Sequence, residues 1–445
     1  MRVSSSFRAP LDAVVRAEWP RIVASLIRTT GDWDLAEDCA QDATERALLT
    51  WPRDGVPDNP AAWLTSVARR RALDVLRRRR TESQALQDVV AMTDRVNATL
   101  DAGSGYADDR LRLLFTCCHP DLTMQDQVAL TLKSVSGLST REIARLLLVK
   151  EQTMSQRLRR LRQQIARSGL ALSVPPTDEI GDRVDSVLAV IYLVFTEGYS
   201  GTEGTGVRDE LADEAIALTQ LATWLLPEHS EAHALRALIL LQHARRPARI
   251  NRTGALIPLE EQDRTRWDRP LIAAGLEALQ LARTAADVSD GSIGVYRVQA
   301  EIAAMHSTAT RPGAVDWAAI VSWYDALLHA TASPVVAMNR VIAIGMRDGP
   351  EAGLAALEEA TQDFRLGEAP EVPAIRADFL RRSGNARAAA RAYHEALAAA
   401  RTDNVRAYLQ RRIDELSPRV DQPPAEPIGP ETNTLAQPGP DSRTD

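Results

Sequence analysis

The sequence has 445 residues, 45% of them hydrophobic and 25% charged, which fits a soluble globular chain of roughly two to four domains. Its three cysteines, Cys39, Cys117 and Cys118, form no CxxC pair and no disulfide framework. The N-terminus MRVSSSFRAP has no apolar signal core, and the longest apolar run, Val187 to Phe195, is too short to span a bilayer, so a cytoplasmic protein is expected.

The net charge of −7 argues against nucleic-acid binding only until it is divided along the chain. Residues 1–170 hold 26 Lys+Arg against 21 Asp+Glu, and the remainder holds 27 against 39. A basic first part and an acidic second part point to two different tasks, with nucleic-acid binding assigned to the first. Aromatic residues are scarce at 4% whereas Ala, Leu and Arg abound, which favours an all-α fold.

Residues 11–80 read as helices, within a first unit taken as residues 1–80. Val14, Val15, Ile22, Val23, Leu26 and Ile27 follow helical spacing, and DWDLAEDCAQDATERALLTW is a second, acidic pattern. A third begins at Pro60, which suits a first helical turn, behind Asn59 as the candidate N-cap. On this third helix Trp63, Leu64, Val67 and Leu73 form an apolar stripe. Arg69, Arg70, Arg71 and the run Arg77 to Arg80 supply seven positive charges able to lie along a phosphate backbone. Residues 81–109 are polar and aperiodic, ending in DAGSGYADD, and are expected to be a flexible linker.

Residues 110–168 form a second helical unit. Within it Ser139 and Glu142 have capping-box spacing, Ile143, Leu146 and Leu147 face inward, Val149 and Lys150 make a turn, and Glu151 opens another helix. Met154, Leu158, Leu161 and Ile165 share one face of that helix. Gln152, Ser155, Gln156, Arg159 and Arg160 point outward, with Arg157 and Arg162 on the flanks. An apolar back and a front of Arg, Gln and Ser is the pattern a helix-turn-helix recognition helix needs to reach base edges and phosphates.

After a boundary at LALSVPPTDEIGD, residues 180–417 are again helical and alanine-rich, and residues 418–445 are expected to be disordered. WYDALLHATASPVV, from Trp323, resembles AYHEALAAARTDNV, from Ala392, at an offset of 69 residues, about twice a tetratricopeptide period. An array of helical hairpins is therefore expected, since a single hairpin cannot bury its own apolar face.

The first two units resemble the extracytoplasmic-function sigma factors of bacterial RNA polymerase. DWDLAEDCAQDATERAL looks like their region 2.2, NPAAWLTSVARRRALDVLRRR like regions 2.3 and 2.4, and GLSTREIARLLLVKEQTMSQRLRRLR like region 4.2. The acidic remainder resembles the tetratricopeptide-like extension of one subgroup, through VIYLVFTEGYSGTEG, ATWLLPEHSEAHALRALILLQHARRPAR, LEEQDRTRWDRPLIAAG and AMNRVIAIGMRDGPEAGL. The implied fold is an all-α chain made of a sigma region 2 domain, a linker, a sigma region 4 helix-turn-helix domain and a tetratricopeptide-like extension.

The resemblance also implies roles. Asp34, Ala36, Glu37, Asp38, Gln41 and Asp42 match the helix that docks on the β′ clamp of core polymerase, whose β flap is the second expected contact. Trp63, Arg69, Arg70, Arg71, Arg77 and Arg78 match the element that melts and reads the −10 promoter element. Glu151, Gln152, Thr153, Ser155, Gln156, Arg157 and Arg160 lie on the match to the −35 recognition helix. Family members usually have Asn at Arg70 and often Lys-Ser at Ser155-Gln156, departures that bear on which promoter sequence is read. A genomic association with small DGPF-type proteins is implied as well.

The expected function is an alternative sigma factor that binds core polymerase and starts transcription, with the acidic extension as an in-cis regulator and no covalent chemistry, cofactor or metal of its own. The alternative is a stand-alone helix-turn-helix regulator with a helical-repeat sensor. An enzyme or metal-dependent sensor in residues 180–417 finds little support: GYSGTEGTG lacks a Lys-Ser/Thr ending, and His229, His233 and His243 lack an HExxH partner. Thr116-Cys117-Cys118-His119-Pro120 reads as a packed helix end, because adjacent cysteines do not suit one tetrahedral site. EEQDRTRWD, from Glu260 to Asp268, reads either as a capped helix start with local ion pairs or as a polar junction that docks the extension on the sigma-like units.

Overall fold

Strong helix formers, few β-branched runs and a cap before most apolar-periodic segments produce an all-helical chain in the computed structural model. It describes residues 5–81, 105–147, 149–168, 180–200, 209–285, 293–363, 369 and 371–420. Among them the only extended pairing is an isolated bridge between Ile250 and Leu256.

The first unit is made of α1 (Ser5–Thr30), α2 (Trp33–Asp54) and α3 (Pro60–Thr81). Asp32 caps α2 by accepting the Leu35 N–H at 3.0 Å, and Asn59 caps α3 through the Ala62 N–H at 3.0 Å. Ile22, Val23, Leu26 and Ile27 of α1 are buried, as their spacing required, against Leu35, Ala36, Cys39 and Ala43 of α2 and Leu64, Ala68 and Ala72 of α3. Most of the expected linker, and the side chains of Val14 and Val15, lie outside the described residues.

The second unit is made of α4 (Gly105–Cys117), α5 (Met124–Ser134), α6 (Thr140–Leu146) and α7 (Glu151–Ser168). Helix α4 starts five residues before the expected linker end, so Tyr106 to Asp109 belong to it. Cys117 and Cys118 are fully buried at its end, Cys118 Sγ lying 3.6 Å from Thr131 Oγ1, and burial pushes the Cys118 thiol up to about 12. This is packing chemistry. Gly137, at φ +73°, makes the turn before α6, and a Cβ there would meet the Trp19 ring of α1 at 2.8 Å. The turn of the second unit is therefore seated directly on the first.

The extension runs through α8 (Ile180–Ser200), α9 (Asp209–Leu225), α10 (Ser230–His243), the single turn α11 (Arg246–Arg249), α12 (Arg269–Thr284), α13 (Val295–Thr308), α14 (Trp317–Thr331), α15 (Pro334–Asp348), α16 (Pro350–Asp363), α17 (Val372–Arg382), α18 (Ala386–Ala399) and α19 (Asp403–Val420). Its apolar clusters pass along the chain: one joins α10, α12 and α13, the next α13 to α15, the next α15 to α17 and the last α17 to α19. Each helix pair is buried by its sequence neighbours, as repeat logic requires. The two echoing stretches, from Trp323 and from Ala392, both fall on hairpin corners, α14–α15 and α18–α19. In α15 and α16 the glycines Gly345 and Gly353 leave room for the Phe379 ring of α17, which an added Cβ would meet at 2.2 Å and 2.5 Å. The last helix continues to Val420, slightly past the expected start of the tail.

Helices α8 and α9 do not form a separate body. Val184, Val187, Leu188, Ile191, Leu211, Ala215 and Leu218 belong to the same buried cluster as the two sigma-like units. Polar ties between them include Arg145 of α6, which pairs with Glu210 at 3.3 Å, and the Arg110 guanidinium, which lies 5.3 Å from the Trp224 ring centre.

EEQDRTRWD fits neither expectation fully. Asp268 does cap α12, accepting the Leu271 N–H at 3.0 Å, and Asp263 caps the turn at Thr265. The ion pairs are distant rather than local: Glu260 meets Arg382 of α17, and Glu261 meets Arg411 and Arg412 of α19. The segment from Ile250 to Asp268 is a strap across the extension itself. The three histidines also separate: His229 caps α10, His233 Nε2 lies 2.7 Å from the Pro227 carbonyl, and His243 lies 3.6 Å from Asp213.

His306, buried against the Trp317 ring, has its pKa lowered from 6.5 to about 4 by burial and by the nearby Arg245 and Arg264 charges. The unfolded chain binds this proton at higher pH than the folded one. Stability is therefore fully present above about pH 6.5 and falls as pH drops toward 4, by roughly 3 kcal/mol from this group. Denaturant unfolding at stepped pH will show that decline, and His306→Gln will flatten it.

Candidate polymerase and promoter-DNA surfaces

On α2 the side chains sort by helical position. Trp33, Leu35, Ala36, Cys39, Ala40 and Ala43 face the core, whereas Asp34, Asp38, Gln41, Glu45 and Leu49 form one exposed strip. Gln41 donates to Glu45 at 3.1 Å, and Leu49 is 73% exposed, an apolar end to an acidic and amide-bearing face. Asp42 sits on the inner flank and pairs with Arg71 of α3 at 2.8 Å. Cys39 lies beneath, its thiol pushed up to about 11 chiefly by burial.

Glu37 departs from this pattern. Its carboxylate is only 5% exposed and faces the second unit. It accepts the Ser134 hydroxyl at 2.7 Å, lies 3.8 Å from Lys133 Nζ, and is bonded by Arg162 Nη2. The other arm of Arg162, Nη1, holds Asp34. One guanidinium fork from the flank of α7 thus spans two of the acids assigned to polymerase binding. Such charge-assisted, doubly anchored contacts are the strong kind.

On α3, Leu64, Ala68 and Ala72 point into the core, while Trp63 is half-buried with its ring edge-on to Trp51 (5.3 Å between centres, 66° between planes). Arg70, Arg77 and Arg78 are exposed; Arg69 and Arg71 are half-buried. The side chains of Arg79 and Arg80 lie outside the described residues.

The helix-turn-helix is built as its spacing suggested. Ser139 accepts the Glu142 N–H at 3.2 Å while Glu142 accepts the Ser139 N–H at 2.8 Å, closing the capping box at the start of α6. Met154, Leu158, Leu161 and Ile165 of α7 are all buried. Glu151, Gln152, Thr153, Ser155, Gln156, Arg159 and Arg160 are exposed together on the opposite face. Arg157 is turned back instead: Nε donates to Asp126 at 2.7 Å and Nη2 to Gln125 at 3.0 Å, bracing α7 on α5. Sequence reasoning missed Lys133, Ser134 and the bridging role of Arg162. Their partners are about a hundred residues away, where no local periodicity points.

The family described as Sigma-70 region 2 matches residues 14–82, Sigma-70 region 4 matches residues 112–165, and a family of unknown function, DUF6596, matches residues 183–283. An uncharacterized protein of Rhizobium meliloti is 39% identical over 413 residues, covering 92% of this chain and 96% of that protein. The probable ECF RNA polymerase sigma factor SigI of Mycobacterium tuberculosis is 31% identical over 170 residues, which is 38% of this chain and 58% of SigI. No solved structure matches.

A three-helix region 2 unit joined to a capped helix-turn-helix region 4 unit defines a sigma factor of the Sigma-70 class. More narrowly, the chain is an ECF-type sigma factor that carries a large helical C-terminal extension. Sigma factor families act in transcription initiation, with core RNA polymerase and promoter DNA as partners, and do so without catalysing a reaction. No described helix is long and apolar enough to cross a membrane.

Proposed function

We propose that this chain binds core RNA polymerase through the exposed strip of α2, with Asp34, Asp38 and Gln41 meeting the β′ clamp and Leu49 adding apolar contact at its far end. Helix α3 opens and reads the −10 element, with Trp63 as the aromatic surface for an unstacked base and Arg70, Arg77 and Arg78 on phosphates. Removing bases from the stack costs roughly a few kcal/mol, which backbone contacts offset. Helix α7 reads the −35 element through Gln152, Thr153, Ser155, Gln156 and Arg160, while region 4 docks on the β flap. Arg157 holds the reading helix in place instead of contacting bases. Nucleotide addition belongs to the polymerase, and the site of action is the cytoplasm.

The observation that carries this reading is the acidic strip of α2 standing exposed beside a basic α3 on a chain that also presents a capped helix-turn-helix. Bulk charge is the wrong level at which to read regulation. The acids that meet the α7 flank come from α2, not from the acidic extension. The free chain is accordingly a closed form in which Arg162 engages Asp34 and covers Glu37, and the extension regulates by packing α8 and α9 into the core that holds this form together. Association with DGPF-type proteins remains an expectation of the family resemblance.

The test is a core-binding titration with Asp38→Arg combined with Gln41→Arg. Both positions are exposed, so folding is preserved, and the affinity for core is expected to fall at least about tenfold, since like-signed or mismatched charge at an interface costs on the order of 1–3 kcal/mol. Unchanged binding places the clamp contact elsewhere.

A further inference from the structure

The strap and helices α13 to α15 line an open cavity of about 370 Å³, within the range of small-molecule sites and built only from residues of the extension. Among the described residues, three polar groups reach it without a side-chain hydrogen bond to protein. The His306 side chain is part of a residue only 9% exposed, yet neither ring nitrogen has a hydrogen bond to protein. The Tyr324 hydroxyl and the Asn339 amide are likewise uncommitted. His306 is buried, Tyr324 half-buried and Asn339 exposed at the mouth, so imidazole, phenol and amide converge on one space with hydrogen-bonding capacity open to a ligand.

The chemistry of that occupant follows from the walls. Glu260 on the rim is neutralised by Arg382. Arg264 spends Nη1 on the carbonyls of His306 (2.7 Å) and Ala309 (2.8 Å), stacks on Trp267, and keeps Nε without a partner. One arginine charge is thus left unbalanced at the cavity. Burial keeps His306 neutral and Tyr324 protonated, so imidazole, phenol and amide each offer a donor. Trp317, Val315 and Leu259 supply an apolar floor. Donors and one positive charge suit an acceptor-only anionic head, and the indole suits a flat body.

We propose that this cavity is a binding site for a small aromatic carboxylate, its carboxylate held by His306, Tyr324 and Asn339 in the field of Arg264 and its ring against Trp317. The ligand bridges the strap, which Glu260 and Glu261 pin to α17 and α19, to the middle of the extension.

The test uses the full chain and isothermal titration with 2-naphthoate and benzoate, against 2-naphthalenemethanol and benzyl alcohol as uncharged counterparts. The carboxylates are expected to bind and the alcohols at least about tenfold more weakly, the discrimination of one charge-assisted contact. Tyr324→Phe, which removes a single oxygen, and His306→Gln are each expected to weaken carboxylate binding about fivefold or more, with the melting temperature of Tyr324→Phe near that of the parent. No heat from either carboxylate at about 10 mM overturns the proposal, since affinities weaker than that are not those of a built site. Binding that ignores both substitutions, or that fails to distinguish acid from alcohol, overturns it equally. In those cases the cavity holds water alone or the probe sits elsewhere.

Discussion

Arg162→Ala will open the free protein and raise its affinity for core polymerase. In the closed form the Arg162 side chain, 15% exposed, bonds both Asp34 and Glu37. Removing one partner of a buried pair costs roughly 3–5 kcal/mol where nothing else compensates. Here Ser134 still donates to Glu37 and Lys133 remains 3.8 Å away, so a cost of about 2–3 kcal/mol is expected. That shifts the closed-to-open balance by roughly 30- to 150-fold. Small-angle scattering will report a larger radius of gyration, and core will bind more tightly by up to the same factor. Arg160→Ala is the contrast: it sits on the same helix but faces outward, so it leaves shape and core binding alone while weakening −35 DNA by roughly 1–3 kcal/mol. An Arg162→Ala protein with unaltered shape and core affinity would mean that the fork does not latch the two units.

The second large effect concerns the extension. A chain ending at residue 170 is expected to lose solubility or to melt more than about 10 °C lower, because α8 and α9 fill one core with the sigma units instead of docking as a detachable body. Val184, Val187, Leu188 and Ile191 are each at most 1% exposed, and fully burying a side chain of this size is worth about 1.5–3 kcal/mol. Part of that burial is internal to α8 and α9, yet even half of it, about 3–6 kcal/mol, is comparable with the whole stability of a marginally stable domain. Loss of activity on truncation is then a stability effect before it is a regulatory one. Thermal unfolding of the truncated and full chains separates the two, and equal melting temperatures would show that the sigma units stand alone.

These two expectations come from contacts that sequence reading does not reach. What was legible was local: the Ser139 and Glu142 capping box, the Asn59 cap, and the stripe Met154, Leu158, Leu161 and Ile165, each set by residues within a few turns of one another. The family resemblance, not spacing, singled out Asp38 and Gln41, which lie on the outer face of α2. Spacing could not place Glu37 inside, because its position on the helix face is borderline and its burial depends on Ser134 and Arg162, 97 and 125 residues away. Spacing put Arg157 on the flank of its helix and the resemblance gave it a reading role; its salt bridge to Asp126 links two helices whose relative rotation no periodicity specifies. The strap was seen as an unusual motif, but its anchors on α17 and α19 lie more than a hundred residues further on.

The central claim is that this chain works with core polymerase and not alone. The most direct measurement is run-off transcription from promoters upstream of its own gene, using purified core with and without the protein. The account predicts a discrete transcript that requires both, and that disappears with Asp38→Arg and Gln41→Arg although the doubly substituted protein remains folded. Specific binding to the same DNA without core, together with no transcript and no association with core, would contradict it and assign the helix-turn-helix to a stand-alone regulator.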